Sequence, residues 1–394
     1  VSFDDRDNWQ SLQLNLPNTS YRDIVFAGND LVVGTYGRGI WVLDDYAVLR
    51  QLTPAVAEEP AHLFKPDPAV RMRRNTNFDT PFPPEVPHAL NPPDGAIIYY
   101  SFASKPTGEI TIDVLDSAGT ALRHYTSIAA EPVKEAARPP NPNFWLLPPQ
   151  ALSANAGLNR ANWDLRLDAP SAFTHSFEIN ANPGLTPATP EGIVAPAGRY
   201  TIKLTAGGRT FTQQLTITDD PLAPATVAAI RAQYALLRKF NLGANTAYVA
   251  YRQVEDLLAE LKAATPADSG SAAAVALHGF RAKLDSVGGN AGVGGRRSPP
   301  NFYALNAAFV GQITAQDNGD HAPTEAAFAA YASECRDLKT AIARWTAINT
   351  KDLAAINAVL AQNAKPALRA ADGLKAPDCG ENAPQSAPRT VRKR

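Results

Sequence analysis

The chain has 394 residues, a formal net charge of −1 and 45% hydrophobic residues. That length exceeds one ordinary core and favours roughly two to four domains. The balanced charge excludes a bulk field for nucleic acid or an anionic membrane, and no apolar run reaches membrane-spanning length.

The chain begins at Val1, and Met72 is its only methionine. Its first residues read as the middle of a fold. It is therefore expected to be a fragment or processed product with further structure upstream. No signal peptide is visible, which carries no weight when the true start lies elsewhere. The 33 prolines fall mostly in the first two-thirds and suit β domains with long irregular connections.

Residues 1–50 read as β structure. Ile24–Phe26 and Leu31–Val33 flank the turn "AGND", and Ile40–Leu43 follows "GTYGRG". Glycines 34, 37 and 39 predict a bulge or a close approach between strands. Such short strands match one blade of a β-propeller, which cannot bury both of its faces alone.

At the start stands "SFDDRDNW". It fits S-x-D-x-G-x-x-W at Ser2, Asp4 and Trp9, with Arg6 in the glycine position. Asp4, Asp5 and Asp7 lie too close in sequence to face each other across a glycosidic cleft. The pattern reads instead as a turn. Asp4 is expected to accept hydrogen bonds from turn amides, Trp9 to pack between strands, and Arg6 to strain the turn or change its type.

Residues 51–93 are Pro-rich and read as an irregular linker packed along a surface. Residues 94–220 read as a second β domain. Ile110, Ile112 and Val114 alternate with Thr111, Asp113 and Leu115, as do Tyr200, Ile202 and Leu204 with their neighbours. Together with the turn "TAGGRT", this predicts an immunoglobulin-like or fibronectin-like β-sandwich interrupted by a Pro-rich excursion over 131–151.

Residues 221–367 change period. Val227, Ile230, Tyr234 and Leu237 form one helical stripe. Phe328, Tyr331, Cys335, Leu338, Ile342 and Trp345 form another. Helices near 223–264, 272–287, 301–316 and 323–363 predict an antiparallel four-helix bundle. Residues 368–394 read as a disordered tail. The fold class is thus multidomain β plus α.

Few single residues point to chemistry. Arg38 in "YGRGIW" could enter a propeller cleft and bind a carboxylate or a sugar hydroxyl, or pair with Asp44, Asp45 or solvent. Trp41 reads as a blade-packing aromatic or a sugar platform. "GGNAGVGGRR" at 288–297 joins helices and lacks the strand and G-K-[ST] of a phosphate loop. The six histidines have no metal-ligand spacing, and no G-x-S-x-G or other nucleophile–base pair stands out. No catalytic residue, metal site or cofactor is assigned. Cys335 and Cys379 are too few for a disulfide framework. They are either one buried thiol and one tail thiol, or a disulfide tying the tail to a helix.

The stretch from "SFDDRDNW" through "DLVVGTYGRGIWVLDD" resembles the last blade of Asp-box propeller proteins, the BNR-repeat glycosyl-hydrolase-like family related to the sortilin-type propeller. "AHLFKP", "NPPDGAIIYY", "GLNRANWDLR", "PAGRYTIKLTAGGRTFTQQLTITDDP" and "ARWTAINTKDLAAINAVL" continue the likeness to about Lys365. "LDSAGTALR" and "PAGRYTIKLTAGG" also resemble immunoglobulin-like modules of flagellar hook-cap and secretion-sorting proteins. The resemblance implies a secreted or periplasmic protein. In it this chain would be an accessory, structural segment, inactive alone, of a parent glycoside hydrolase that meets polysaccharide through blades upstream. The alternative is a non-enzymatic sortilin-like propeller that binds peptides or proteins.

Overall fold

The computed structural model describes residues 1–4, 6–73, 79–86, 92–129, 141–148, 150–173, 175–177, 179–264, 271–290 and 299–379. Asp5, most of the 131–151 excursion, most of the 288–297 loop and residues 380–394 lie outside them. The chain is mixed β plus α, with curled sheets that include a half-barrel and six helices among the described residues.

The first sheet has the antiparallel order β1 (Tyr21–Ala27), β2 (Asp30–Thr35), β3 (Ile40–Leu43). Gly28, at φ 65°, makes the tight reversal between β1 and β2. The pairing slips between Tyr21 and Asp23, opposite Gly34, so the expected irregularity is present. Gly37 and Gly39 both take positive φ in the loop into β3.

The Pro-rich stretch is more than a linker. A 3-10 turn over Tyr46–Gln51 leads to the short helix α1 (Pro54–Glu58), capped by the Thr53 side chain. β4 (Ala61–Leu63) and β5 (Ala69–Arg71) then join larger sheets. Leu63, Phe64 and Ala69 are buried, which outweighs the flanking prolines. Both strands sit at sheet edges, where a missing amide donor is tolerated.

A five-stranded sheet has the order β5-β13-β12-β7-β8, and a three-stranded sheet the order β4-β6-β9. Their strands are β6 (Ala96–Phe102), β7 (Thr111–Leu115), β8 (Ala121–Thr126), β9 (Gly157–Trp163), β12 (Gly198–Ala206) and β13 (Arg209–Asp219), with a small pair β10 (Ser176–Phe177) and β11 (Ala188–Thr189) between. β5 runs parallel to β13, whereas the other pairs are antiparallel. The alternating residues point inward as expected: Ile110, Ile112, Val114, Ile202 and Leu204 are fully buried. They meet Ile98, Tyr100 and Trp163 of the other sheet in one core.

The helices are α2 (Val227–Ala264), α3 (Ala272–Gly288), α4 (Phe302–Gln316), α5 (Glu325–Ala347) and α6 (Leu353–Gln362). Ser271, Asn301 and Thr324 cap α3, α4 and α5 by accepting the amide three residues on. The single helix expected over 323–363 is divided by a π-helical turn at Ile348–Asp352. α2 packs against α3, α4 and α5. The second stripe is buried from Tyr331 to Trp345, while Phe328 and Val227 stay partly exposed.

Residues 368–379 do not belong to the disordered tail that the composition of 368–394 predicts. Leu368 is buried, Ala371 and Leu374 pack on the core, and Cys379 is bonded to Cys335. The segment is a strap laid over the helices. Composition misses this because the polar, basic run beyond 379 dominates the 368–394 stretch, while a few anchors hold the part before it.

Candidate functional site

The opening turn forms around Asp4. Asp4 Oδ1 accepts from the Arg6 amide at 3.1 Å and from Ser2 Oγ at 2.9 Å, and Oδ2 accepts from Asn8 Nδ2 at 2.8 Å. The Asn8 and Ser2 hydrogen bonds hold the carboxyl below its ordinary range. Val1 and Gln10 close the turn with paired main-chain bonds of 2.8 Å. Arg6 stands where the motif has glycine, and its amide still bonds to Asp4. Trp9 does not pack between strands as expected: it is 74% exposed.

In the β1–β3 sheet that follows it in the chain, the exposure lies on β1 and β3. Every residue of β1 is open to solvent, including Ile24, Val25 and Phe26, as are Tyr36, Ile40 and Val42. β1 pairs with β2 along one edge and is an outer strand of its sheet. Arg38 lies exposed in the loop before β3, and its carbonyl accepts from the Trp41 indole at 3.0 Å. The two residues expected to bind ligand thus clasp one hairpin. Of the other partners expected for Arg38, namely Asp44, Asp45 or solvent, the exposed side chain fits solvent: Asp44 lies 4.0 Å from Arg160, and Asp45 faces the Asp67 and Asp30 charges.

Asp45 takes a left-handed conformation, φ 51°, at the entry to the 3-10 turn, and its amide donates to Asp30 at 2.9 Å. Burial, then the neighbouring Asp67 and Asp30 charges, push its carboxyl up to about 6. Asn29 Nδ2 donates to Asp67. The acidic group is local in space but spread over 38 positions, so it carries no sequence signature.

A second cluster escapes sequence reading altogether. Arg71, Arg73 and Arg166 from the β layer meet Asp317 and Asp320 from the loop after α4. Arg71 pairs with Asp320, and Arg73 bridges Asp317 at 2.6 Å and Asp320 at 3.0 Å. Arg166 reaches Asp317 at 3.0 Å and Glu191 at 3.4 Å. Arg71 Nε also donates to the Ala195 carbonyl at 3.0 Å. Burial opposes ionisation of Asp320, but Arg71 and then Arg73 overcome it and hold the carboxyl below its ordinary range. Gln233 fixes the same loop by donating to the Gln316 and Gly319 carbonyls at 2.7 and 2.8 Å. With its charges paired and its guanidinium groups bound to carbonyls, this cluster is built to join layers.

A cleft of about 420 Å³ lies between α3 and the π turn, lined by Lys283, Ser286, Arg344, Ile348 and Asp352 among others. Lys283 pairs with Asp352 at 2.9 Å, and Arg344 donates to Ser286 and to the Pro300 carbonyl. On the open face of the larger sheet, Asp113 accepts from Lys203 at 2.9 Å and lies 2.7 Å from His124 Nδ1. The three are direct cross-strand neighbours, which makes a charge ladder. Among the described residues, no group of three or more His, Cys, Asp or Glu could hold a metal ion. No described helix is long and apolar enough to cross a membrane.

No family model, curated protein or solved structure matches the chain.

Proposed function

We propose that the chain is an accessory, structural segment of an extracytoplasmic Asp-box propeller protein. Its β1–β3 sheet is a blade that docks on further β structure. In this reading the two larger sheets form an immunoglobulin-like spacer, and α2–α5 form a four-helix bundle behind it. The observation that carries it is the exposure of apolar residues on β1 and β3: Ile24, Val25, Phe26, Ile40 and Val42. Isolated apolar residues on a surface need no explanation, but a strand exposed on every residue is a surface that awaits cover. The Asp4 turn, held by its own side chain, supports the blade reading. The Cys335–Cys379 bond is compatible with an oxidising compartment. A parent that hydrolyses polysaccharide would carry its paired carboxylates on other blades.

The purified chain is expected to release no reducing sugar from plant or microbial polysaccharides. Its β1 amides should exchange with deuterium far faster than those of β12. Hydrolysis that disappears in Asp4→Asn would overturn the accessory reading.

The outer edge of β1 favours a second reading, a sortilin-like binder that adds an extended peptide to the sheet. Capture from a random peptide library that is lost in Val25→Pro would select it.

A further inference from the structure

The strap at 368–379 is held in two different ways. Its first part is clamped by side chains that read main-chain groups. Asn357 donates to the Leu368 carbonyl at 3.0 Å and accepts its amide at 2.8 Å. Asn349 does the same for Ala371, at 2.8 and 2.9 Å. Glu260 accepts the Arg369 amide at 3.0 Å, and Gln253 donates to the Asp372 carbonyl at 3.2 Å. Leu368 is buried beneath these contacts. Asn349 belongs to the π turn, and π turns inside helices often mark functional positions.

From Gly373 on, the contacts change character. Leu374 packs on the core, the Tyr331 hydroxyl donates to the Asp378 carbonyl at 3.1 Å, and Cys379 is bonded to Cys335. Asp372, Gly373, Lys375, Ala376 and Asp378 are exposed. Cys335 is fully buried on α5, whereas Cys379 is half-buried. A reductant therefore has access to the Cys379 sulfur first.

We propose that Cys335–Cys379 is a reducible latch. Its opening frees residues 373–379 and uncovers the Tyr331 and Cys335 face of α5, while 368–372 stays clamped. The step is thiol–disulfide exchange with a dithiol. One thiolate of the dithiol attacks Cys379 Sγ, the protein S–S bond breaks, and Cys335 leaves as a thiolate that takes up a proton. The second thiol then attacks the mixed disulfide, frees Cys379 as a thiol and closes the reductant into its own disulfide. Two electrons and two protons pass to the protein. The hinge lies at Asp372–Gly373, where the side-chain clamps end.

Limited trypsinolysis of the full chain, with and without dithiothreitol and read by mass spectrometry, tests the latch. Arg369 and Lys375 stand on the two sides of the hinge. Reduction is expected to speed cleavage after Lys375 by about tenfold or more, because cleavage tracks the open population. Cleavage after Arg369 should stay slow. Cys379→Ser should be cut after Lys375 at the fast rate without reductant, and its helical circular dichroism should match the wild type. Equal rates after Lys375 in both redox states would overturn the proposal. So would a parallel rise at Arg369, because the strap would then open as a whole or with the helices. If Cys379→Ser loses helicity, the wild-type comparison decides, with the same two outcomes.

Discussion

Arg166 reaches Asp317 at 3.0 Å across 151 positions of sequence, and so ties the strand layer to the loop between α4 and α5. Arg73 holds the same carboxylate from the other side at 2.6 Å. Removing Asp317 leaves two guanidinium groups without their shared anion at a largely buried joint. Asp317→Ala is expected to cost about 3 kcal/mol, seen as a lower urea midpoint. The neighbouring Asp320 sets the pH response. Its folded carboxyl lies below the unfolded range, so its contribution is complete above the ordinary aspartate range and is lost as pH falls through the folded value. Stability measured from pH 6 downward should therefore fall less steeply in Asp320→Asn than in the wild type.

This joint also marks where the sequence stops being legible. Periodicity is a local signal, and it finds the strands around Ile112 and Ile202 and the helix stripe from Tyr331 to Trp345, because each buries one face. The Arg71–Asp320 pair spans 249 positions and leaves no local trace. The strap fails for a related reason: residues 368–379 carry no helix or strand period, and their order comes from Asn349, Asn357 and Cys335 on other elements. Trp9 fails differently. The motif predicts a packed indole, but no described strand covers it.

Asp45 offers a gain of stability. Its carboxyl is pushed up to about 6 and one oxygen is buried without a hydrogen bond, so ionising it costs the folded state. The sign follows. The penalty is absent below the unfolded aspartate range, grows as pH rises and is complete above about 6. Asn tolerates the left-handed backbone and can donate toward Asp67. Asp45 is only partly buried, so solvent screening reduces the effect to about 1 kcal/mol or less. Thermal melts of Asp45→Asn should exceed the wild type at pH 7.5 and match it at pH 4.

Two glycines separate crowding from propensity. A Cβ on Gly192 would lie 1.7 Å from the Leu167 carbonyl oxygen, a main-chain atom inside the core. Gly192→Ala should destabilise by about 3 kcal/mol, because backbone must move. Gly279, inside α3, has nothing within 4 Å of its Cβ position. Gly279→Ala should stabilise by about 0.5–1 kcal/mol through helix propensity. Chemical denaturation of both variants checks the pair, and equal signs would contradict the packing around Leu167.

The strap clamps make a prediction about donor and acceptor roles. Asn357 both donates to and accepts from Leu368, so Asn357→Ala removes two hydrogen bonds at one position. Local opening there should become easier by about 1–2 kcal/mol, read as faster deuterium exchange at the Leu368 amide. Asn357→Asp separates the two bonds. The ionised carboxylate still accepts the amide but faces the Leu368 carbonyl with a like partial charge. Protonation supplies a donor again. Protection of Leu368 in Asn357→Asp should therefore rise as pH falls through the aspartate range, after correction for the intrinsic exchange rate. Asn357→Ala should show no such rise, because alanine has no proton to gain.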